Sequence, residues 1–241
     1  GLPAYFPFEK NKIFQGLKEI KIISLGDIFK KSQFDFQEYF VGESTFVGTK
    51  DLLETMNFNV FDHNKSTGNY KVYPNEFGFH DKDLFFEIKK RIKHFKMKNN
   101  SFVIYAATIN THLNGIKDDR MSAFIGDNYN NDLEHSVKSL DYLIGDLIQF
   151  LKQEKLLENT AVFIGPDHLL PTNKSIKETY KKFRDTERSL YLISNKNFPS
   201  YIAQTQIEIP KIVLDTAKIK HNHKFFYEHN SIKNLDKYLN E

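Results

Sequence analysis

The stretch FVIYAATINTH, residues 102–112, joins an unbroken apolar run to a polar segment that holds two threonines and a histidine. Its first six residues, Phe102 to Ala107, are uncharged and rich in β-forming side chains, which is typical of a strand buried on both faces of a parallel sheet. The apolar run Ala161 to Ile164 predicts a second such strand. Apolar residues recur at helical spacing from Leu133 to Leu151, so the sequence predicts a crossover of strand, helix and strand.

The same alternation of strands and helices extends to both sides of this crossover. It predicts an open, doubly wound α/β sheet. One helix opens near Asp81, a good N-cap residue, and its apolar face consists of Leu84, Phe85, Ile88, Ile92 and Phe95. The remaining predicted elements are strands at Tyr39 to Val41, Phe58 to Phe61 and Ser189 to Ser194, helices at Thr49 to Met56 and Ile212 to Ala217, and loops at Asn64 to Asn75, Gly115 to Asn131 and Leu169 to Lys174.

Length and composition exclude several classes of protein. The chain has 241 residues, which fits one domain over residues 1–241, and its mean hydropathy of -0.52 argues against a membrane-embedded protein. A net charge of +3 is too small to imply a nucleic-acid partner. The absence of cysteine removes disulfides, thiolate nucleophiles and cysteine-type zinc sites.

Polar side chains follow two of the predicted strands at the point where each strand ends. Thr111 and His112 follow the first strand, and Asp167 and His168 follow the second after Gly165 and Pro166. Ligands of open α/β sheets bind at the carboxyl ends of the strands, and a carboxylate with an imidazole suits a divalent metal. The alternative is that Asp167 caps a turn, that His168 packs on it, and that His112 is an ordinary loop histidine.

Sequence blocks along most of the chain, in their order and spacing, resemble the soluble domain of the bacterial phosphoglycerol transferases. These enzymes are relatives of lipoteichoic acid synthase within the sulfatase and alkaline phosphatase superfamily. The similarity fades after Ser194. The blocks are Gly1 to Asn11, Leu25 to Lys30, Tyr39 to Gly42, Gly48 to Asp51, Gly78 to Asp81, Thr108 to His112, Leu156 to Thr160 and Phe163 to Leu169.

The resemblance implies a sheet sandwiched by helices and assigns roles to individual residues. Asp167 and His168 match two ligands of a catalytic manganese or zinc ion. His112 matches the histidine that holds the substrate phosphate, with Thr111 beside it, and Lys50 falls where relatives place a basic substrate-binding residue. Asp81 matches a family acid for which we expect a structural role.

The reaction implied by the resemblance is metal-dependent transfer of a phosphoglycerol or phosphoethanolamine head group, or hydrolysis of the sulfatase type. A metal-activated threonine attacks the phosphodiester of a lipid-linked donor, and the group then passes to a hydroxyl of a glycan or lipid acceptor. Such domains lie at the extracytoplasmic, periplasmic face of the inner membrane and are anchored by an upstream segment. No nucleic-acid partner is expected.

The chain also departs from the family pattern. The family's nucleophilic threonine, its first strand and a further acidic ligand precede the block that begins at Gly1, so we expect this chain to be the C-terminal portion of a catalytic domain and to be inactive alone. Asn110 stands where close relatives carry aspartate, and Val41 where lipoteichoic acid synthases have histidine. These differences leave the substrate open.

Two further classes of function remain alternatives. One is a non-catalytic sulfatase-like domain that binds a glycan or a lipid head group. The other is a nucleic-acid or membrane-surface binder that uses the basic run Lys89 to Lys98, although such a run on an amphipathic helix is more often a solvated face. His221, His223 and His229 have ligand-like spacing but more often belong to a surface tail.

Overall fold

The computed structural model describes residues 23–45, 48–67, 73–112, 114–167, 192–199 and 208–223. These residues fall into two units, a larger one over 23–157 and a smaller one over 158–223. The larger unit contains α1 (Leu25–Lys31), β1 (Phe36–Phe40), α2 (Thr49–Thr55), β2 (Asn59–Phe61), β3 (Pro74–Asn75), β4 (Gly78–Phe79), α3 (Asp81–Met97), β5 (Phe102–Ala106), α4 (Ser122–Ile125) and α5 (Asp132–Gln153). The smaller unit contains β6 (Phe163–Ile164), β7 (Ile193–Ser194) and α6 (Ile209–Thr216).

A parallel sheet of three strands lies at the centre of the larger unit, in the order β2-β1-β5. Tyr39 of the middle strand lies opposite Val60 on one side and Tyr105 on the other. Helices flank the sheet, so the predicted α/β class is confirmed. The strand predicted over Tyr39 to Val41 is observed as β1, which begins three residues earlier, at Phe36, and ends one residue earlier, at Phe40.

Helix α3 packs against the sheet through its predicted apolar face. The Phe95 ring is stacked between Phe36, at 4.7 Å between centroids, and Phe102, at 5.5 Å. The N-cap assignment was wrong: His80 is the N-cap and Asp81 is the first helical residue. All five residues predicted for the apolar face are buried, namely Leu84, Phe85, Ile88, Ile92 and Phe95.

Helix α5 has the predicted extent, but its N-terminal half buries a different face. Val137 is 52% exposed, whereas the neighbouring Ser136 is buried. The Ser136 hydroxyl accepts a hydrogen bond from the Ile116 N–H and donates one to the Ile116 carbonyl, each at 3.1 Å. The backbone at Ile116 therefore lies against this part of α5. The Ser136 hydroxyl satisfies the hydrogen-bonding groups of that backbone, which an apolar side chain cannot do.

The strand predictions on either side of α5 were only partly right. Strand β5 is not buried on both faces, since Tyr105 is 54% exposed and stacks on Tyr39 at 4.8 Å. Within the described residues, β6 pairs antiparallel with β7 and does not join the parallel sheet. The periodicity of an apolar run predicts a strand but does not specify its partner.

The predicted loops also differ in part from the structure. The segment 115–131 contains a short 3₁₀ helix, Asp119–Met121, followed directly by α4. The predicted loop over 64–75 overlaps another 3₁₀ helix, His63–Lys65, and ends in β3. The predicted loop 169–174 and the first part of the strand over 189–194 lie outside the described residues. None of the described helices is long and apolar enough to cross a bilayer.

Phe95→Ala should destabilise the larger unit by about 3–5 kcal/mol, because it removes a fully buried ring and leaves a cavity. Met97→Ala on the same helix is the matched control, since Met97 is 79% exposed, and its expected effect is within about 0.5 kcal/mol. Urea denaturation of both variants measures the difference. Equal stability of the two variants would contradict the packing of α3 on the sheet.

Candidate functional site

The carboxyl ends of the three parallel strands lie at one edge of the sheet, which we call the carboxyl edge. The loop after β1 leads to Lys50 and the loop after β5 leads to Thr111 and His112. Thr111 and His112, in the loop after β5, and Lys50, in the helix that follows the loop after β1, are therefore reached from the same edge of the sheet, as expected for a ligand site of an α/β protein.

A close backbone approach fixes the hairpin of β3 and β4 against the end of β1. A Cβ atom on Gly42 would lie 2.2 Å from the Phe77 carbonyl oxygen, and one on Gly78 would lie 2.2 Å from the Gly42 oxygen. Gly78 also has a φ of +107°, which side chains rarely adopt. Both positions therefore require glycine, and the hairpin is held at the carboxyl edge.

His112 lies on the loop after β5 and is exposed. Its backbone N–H donates to the Ile109 carbonyl at 2.8 Å, and its own carbonyl accepts from the Gly115 N–H at 2.7 Å. The imidazole contacts the Phe77 ring, with 4.8 Å between ring centroids. The backbone is thus fixed by hydrogen bonds while the ring remains accessible to a ligand, and Thr111 beside it is half-buried.

Asp81 connects the start of α3 to the loop that carries His112. Its carboxylate accepts hydrogen bonds from the Ile109 N–H at 2.8 Å and the Asn110 N–H at 3.3 Å. The Asn110 Oδ1 in turn accepts from the Asp81 N–H at 3.2 Å. Burial raises the pKa of Asp81 to about 6, although the two N–H donors oppose this shift and nearby Asp118 adds to it.

Asn110 also forms a hydrogen bond with a neighbouring buried histidine. The Asn110 Nδ2 donates to His80 Nδ1 at 3.1 Å, and both residues are buried. Burial lowers the pKa of His80, so the neutral ring is favoured. An ionised aspartate at position 110 would have no N–H to donate to His80, so this hydrogen bond needs the amide of Asn110.

Lys50 is exposed in the first turn of α2. The helix begins after Gly48, whose φ of 79° is left-handed, and the Lys50 N–H donates to the Ser44 carbonyl at 3.0 Å. Sequence reasoning missed two residues at the carboxyl edge, Asp62 and His63. Both residues directly follow the strand predicted over 58–61. His112 was chosen because it is polar and follows the end of a predicted strand, and the same criterion applies to Asp62 and His63.

The predicted metal ligands belong to the smaller unit. Asp167 follows β6 after Gly165 and Pro166 and is exposed. His168 lies outside the described residues. Over the described ranges, no group of three or more acidic, histidine or cysteine side chains is arranged to hold a metal ion. The assignment of Asp167 and His168 as metal ligands stays a prediction.

The basic run Lys89 to Lys98 is largely neutralised by acids of the same chain. Arg91 contacts the buried carboxylate of Glu38, which leaves little of its charge for an external phosphate. Lysines of this run form further ion pairs, namely Lys89 with Asp146, Lys90 with Glu87, and Lys93 and Lys96 with Glu154. This pattern favours a solvated helix face over a nucleic-acid or membrane surface.

The second group of histidines is described only in part. His221 Nδ1 lies 3.2 Å from the His223 carbonyl oxygen, and its Nε2 lies 3.8 Å from Asp215. His229 lies outside the described residues. The contact of His221 with a backbone carbonyl explains its orientation without a metal.

Comparison with known proteins identifies a family. Residues 5–233 match the sequence model of the sulfatase family. The chain is 25% identical over 186 residues to phosphoglycerol transferase I from Xanthomonas campestris pv. campestris (strain B100), a match that covers 73% of this chain and 25% of that protein. The chain thus spans about a quarter of the length of this curated relative.

A solved structure supports the fold. The lipoteichoic acid synthase LtaP from Listeria monocytogenes matches with a TM-score of 0.65 and 16% sequence identity. The match covers 88% of this chain and 57% of that protein. At this low identity the similarity establishes the shared α/β architecture.

Asp81→Asn should remove a pH-dependent contribution to stability. The pKa of Asp81 rises from 3.8 to about 6 on folding, so the folded chain binds this proton more tightly than the unfolded chain. Asp81 therefore contributes about 3 kcal/mol to the free energy of unfolding at low pH, and this contribution is lost as the pH rises from about 4 to about 6. The free energy of unfolding of the wild type, minus that of the variant, should decrease by this amount across that window in urea titrations. A difference independent of pH would contradict the burial of this carboxyl group.

Proposed function

We propose, because this chain belongs to the sulfatase family, that it forms part of a catalytic domain that acts on phosphoglycerol or a related phosphate ester of the cell envelope. One observation carries the proposal: the loops of Lys50 and His112 leave the parallel sheet from the same edge. The name of the curated relative, phosphoglycerol transferase, supports this substrate class. Transfer of the head group is the reaction we assign, with sulfatase-type hydrolysis as the related chemistry.

The residues of the carboxyl edge are proposed to bind the phosphate group. The Lys50 ammonium is exposed and supplies a positive charge, and the His112 imidazole and Thr111 hydroxyl supply hydrogen-bond donors. Charge on the phosphate oxygens is partly neutralised when such donors surround them, which favours transfer of the group. The roles assigned to this chain are therefore binding and orientation of the phosphoryl group.

The proposed metal ligands are Asp167 and His168, for a manganese or zinc ion. Such an ion, when bound, lowers the pKa of a hydroxyl nucleophile and neutralises phosphate oxygens. The exposed carboxylate of Asp167 supports this assignment. Two protein ligands do not complete a tight zinc site, so further ligands are expected from other residues.

The donor and the location follow from the same proposal. We assign a lipid-linked phosphoglycerol donor and a glycan or lipid acceptor, at the extracytoplasmic face of the membrane. The two relatives support this class because one is named a phosphoglycerol transferase and the other a lipoteichoic acid synthase.

Lys50→Met and His112→Ala should each weaken binding of glycerol 1-phosphate to the chain by about tenfold, because each removes a group that contacts the phosphate. Isothermal titration calorimetry with manganese in the buffer measures the affinity. Lys96→Met and His94→Ala are matched controls, because both residues lie at the end of α3 far from the carboxyl edge, and we expect wild-type affinity for them. Equal affinities in all five proteins would rule out the carboxyl edge as the phosphate site.

Asp167→Asn and His168→Ala should each lower the amount of manganese or zinc that remains bound after dialysis, measured by inductively coupled plasma mass spectrometry. Removal of one ligand of a metal site typically weakens metal binding strongly. Asp215→Asn is the matched control in the smaller unit, since Asp215 forms an ion pair with Lys211. Wild-type metal content in the two ligand variants would remove the metal assignment and leave the phosphate site unaffected.

A further inference from the structure

A buried carboxylate at the end of β2 has no role in the binding scheme above. Asp62 is 7% exposed, and its Oδ2 accepts a hydrogen bond from the Ser44 hydroxyl at 2.5 Å. Its Oδ1 accepts from the Asn64 N–H at 3.0 Å. Burial alone would raise the pKa of Asp62, but the hydrogen bonds from Ser44 and Asn64 and the nearby His63 hold the pKa below its ordinary value. Both carboxylate oxygens therefore have donors and the charge is retained.

Ser44 forms hydrogen bonds in two directions. Its side chain is fully buried and donates to Asp62, while its carbonyl oxygen accepts from the Lys50 N–H at 3.0 Å. Helix α2 has no side-chain cap, because its N-cap residue is Gly48. The Ser44 carbonyl thus satisfies a backbone donor in the first turn of α2, which links the position of Lys50 to the position of Ser44.

A second pair of contacts holds the same loop on β2. The Gly42 carbonyl accepts from the backbone N–H of His63 at 3.2 Å and lies 2.9 Å from His63 Nδ1, which therefore carries the proton. Glu43 Oε2 lies 3.4 Å from the same ring nitrogen, and Glu43 Oε1 accepts from the Thr45 N–H at 2.8 Å. The loop after β1 is consequently fixed on two adjacent residues of the neighbouring strand end.

We propose that Asp62 and Ser44 are positioning residues for Lys50. The inference rests on the proposed role of Lys50 in phosphate binding. Asp62 is unsuited to contact substrate itself, because it is buried and both of its oxygens accept hydrogen bonds from the chain. Its effect reaches the ligand through Ser44 and the first turn of α2, where a fixed backbone limits the region that the flexible Lys50 side chain samples.

A double-mutant cycle tests this connection. Ser44→Ala should weaken glycerol 1-phosphate binding by about fivefold, because Lys50 is no longer held in place, and Lys50→Met should weaken it by about tenfold. The double variant should bind no more weakly than Lys50→Met alone, since positioning has no effect once the charged group is gone. Asp62→Asn, which keeps an acceptor for the Ser44 hydroxyl, should retain more affinity than Ser44→Ala.

Thr67→Val is the matched control for loss of a hydroxyl. The Thr67 hydroxyl donates to another buried carboxylate, Glu87, at 2.6 Å, but Thr67 lies beyond the loop that leads to Lys50. We expect wild-type affinity for Thr67→Val. Amide hydrogen exchange gives a second readout: the Lys50 N–H should exchange about tenfold faster in Ser44→Ala and at the wild-type rate in Thr67→Val.

The outcomes separate this inference from the function on which it rests. If Ser44→Ala weakens binding to the same extent with and without Lys50, Ser44 acts elsewhere and the inference is overturned while the phosphate site stands. Wild-type affinity in Ser44→Ala, or equal acceleration of Lys50 exchange in the Thr67→Val control, would overturn it as well. Wild-type affinity in Lys50→Met would remove the proposed role of Lys50 and this inference together.

Discussion

The close approach of two backbones at Gly42 and Gly78 is the constraint on which the arrangement of the carboxyl edge depends. A side chain at either position would place its first carbon about 2 Å from a carbonyl oxygen. The contact holds the hairpin of β3 and β4 so that Phe77 lies against His112. On the other side, the same Gly42 carbonyl binds His63 at the end of β2. Three contacts that meet at Gly42 and the hairpin therefore join the loops of all three strands.

Buried acids and exposed bases have different roles at this edge. Asp81 and Asp62 are buried and accept hydrogen bonds from the chain itself, so each fixes a loop. His112, in one of these loops, and Lys50, in the helix that follows the other, are exposed. A buried carboxylate without such donors would be costly, whereas one with two donors holds its loop firmly. The acids supply rigidity, and the bases remain available to an anionic ligand.

Long periodic patterns in the sequence predicted the parts of the fold that rest on many residues. Helices α3 and α5 and the parallel class of the central sheet are confirmed, because repeated apolar spacing over several turns specifies a helix strongly. The pairing of β6 with β7 was missed, since a run of a few apolar residues carries no information about its partner. The hydrogen bonds of Asp81 and Asp62 were not predicted either. Most of their donors are distant in sequence, and only the folded chain brings these donors close to the carboxylates.

The strand order has a consequence for the time at which this edge is completed during synthesis. The middle strand β1 is made first, β2 follows, and β5 comes last, with Phe36 paired to Phe102. A nascent chain that has not reached β5 already contains Lys50 but has no third strand to bring His112 to the same edge. Pairing across such a separation is slow because a long loop must close. Among the described strands, the loop of His112 therefore joins this edge only when β5 pairs with β1.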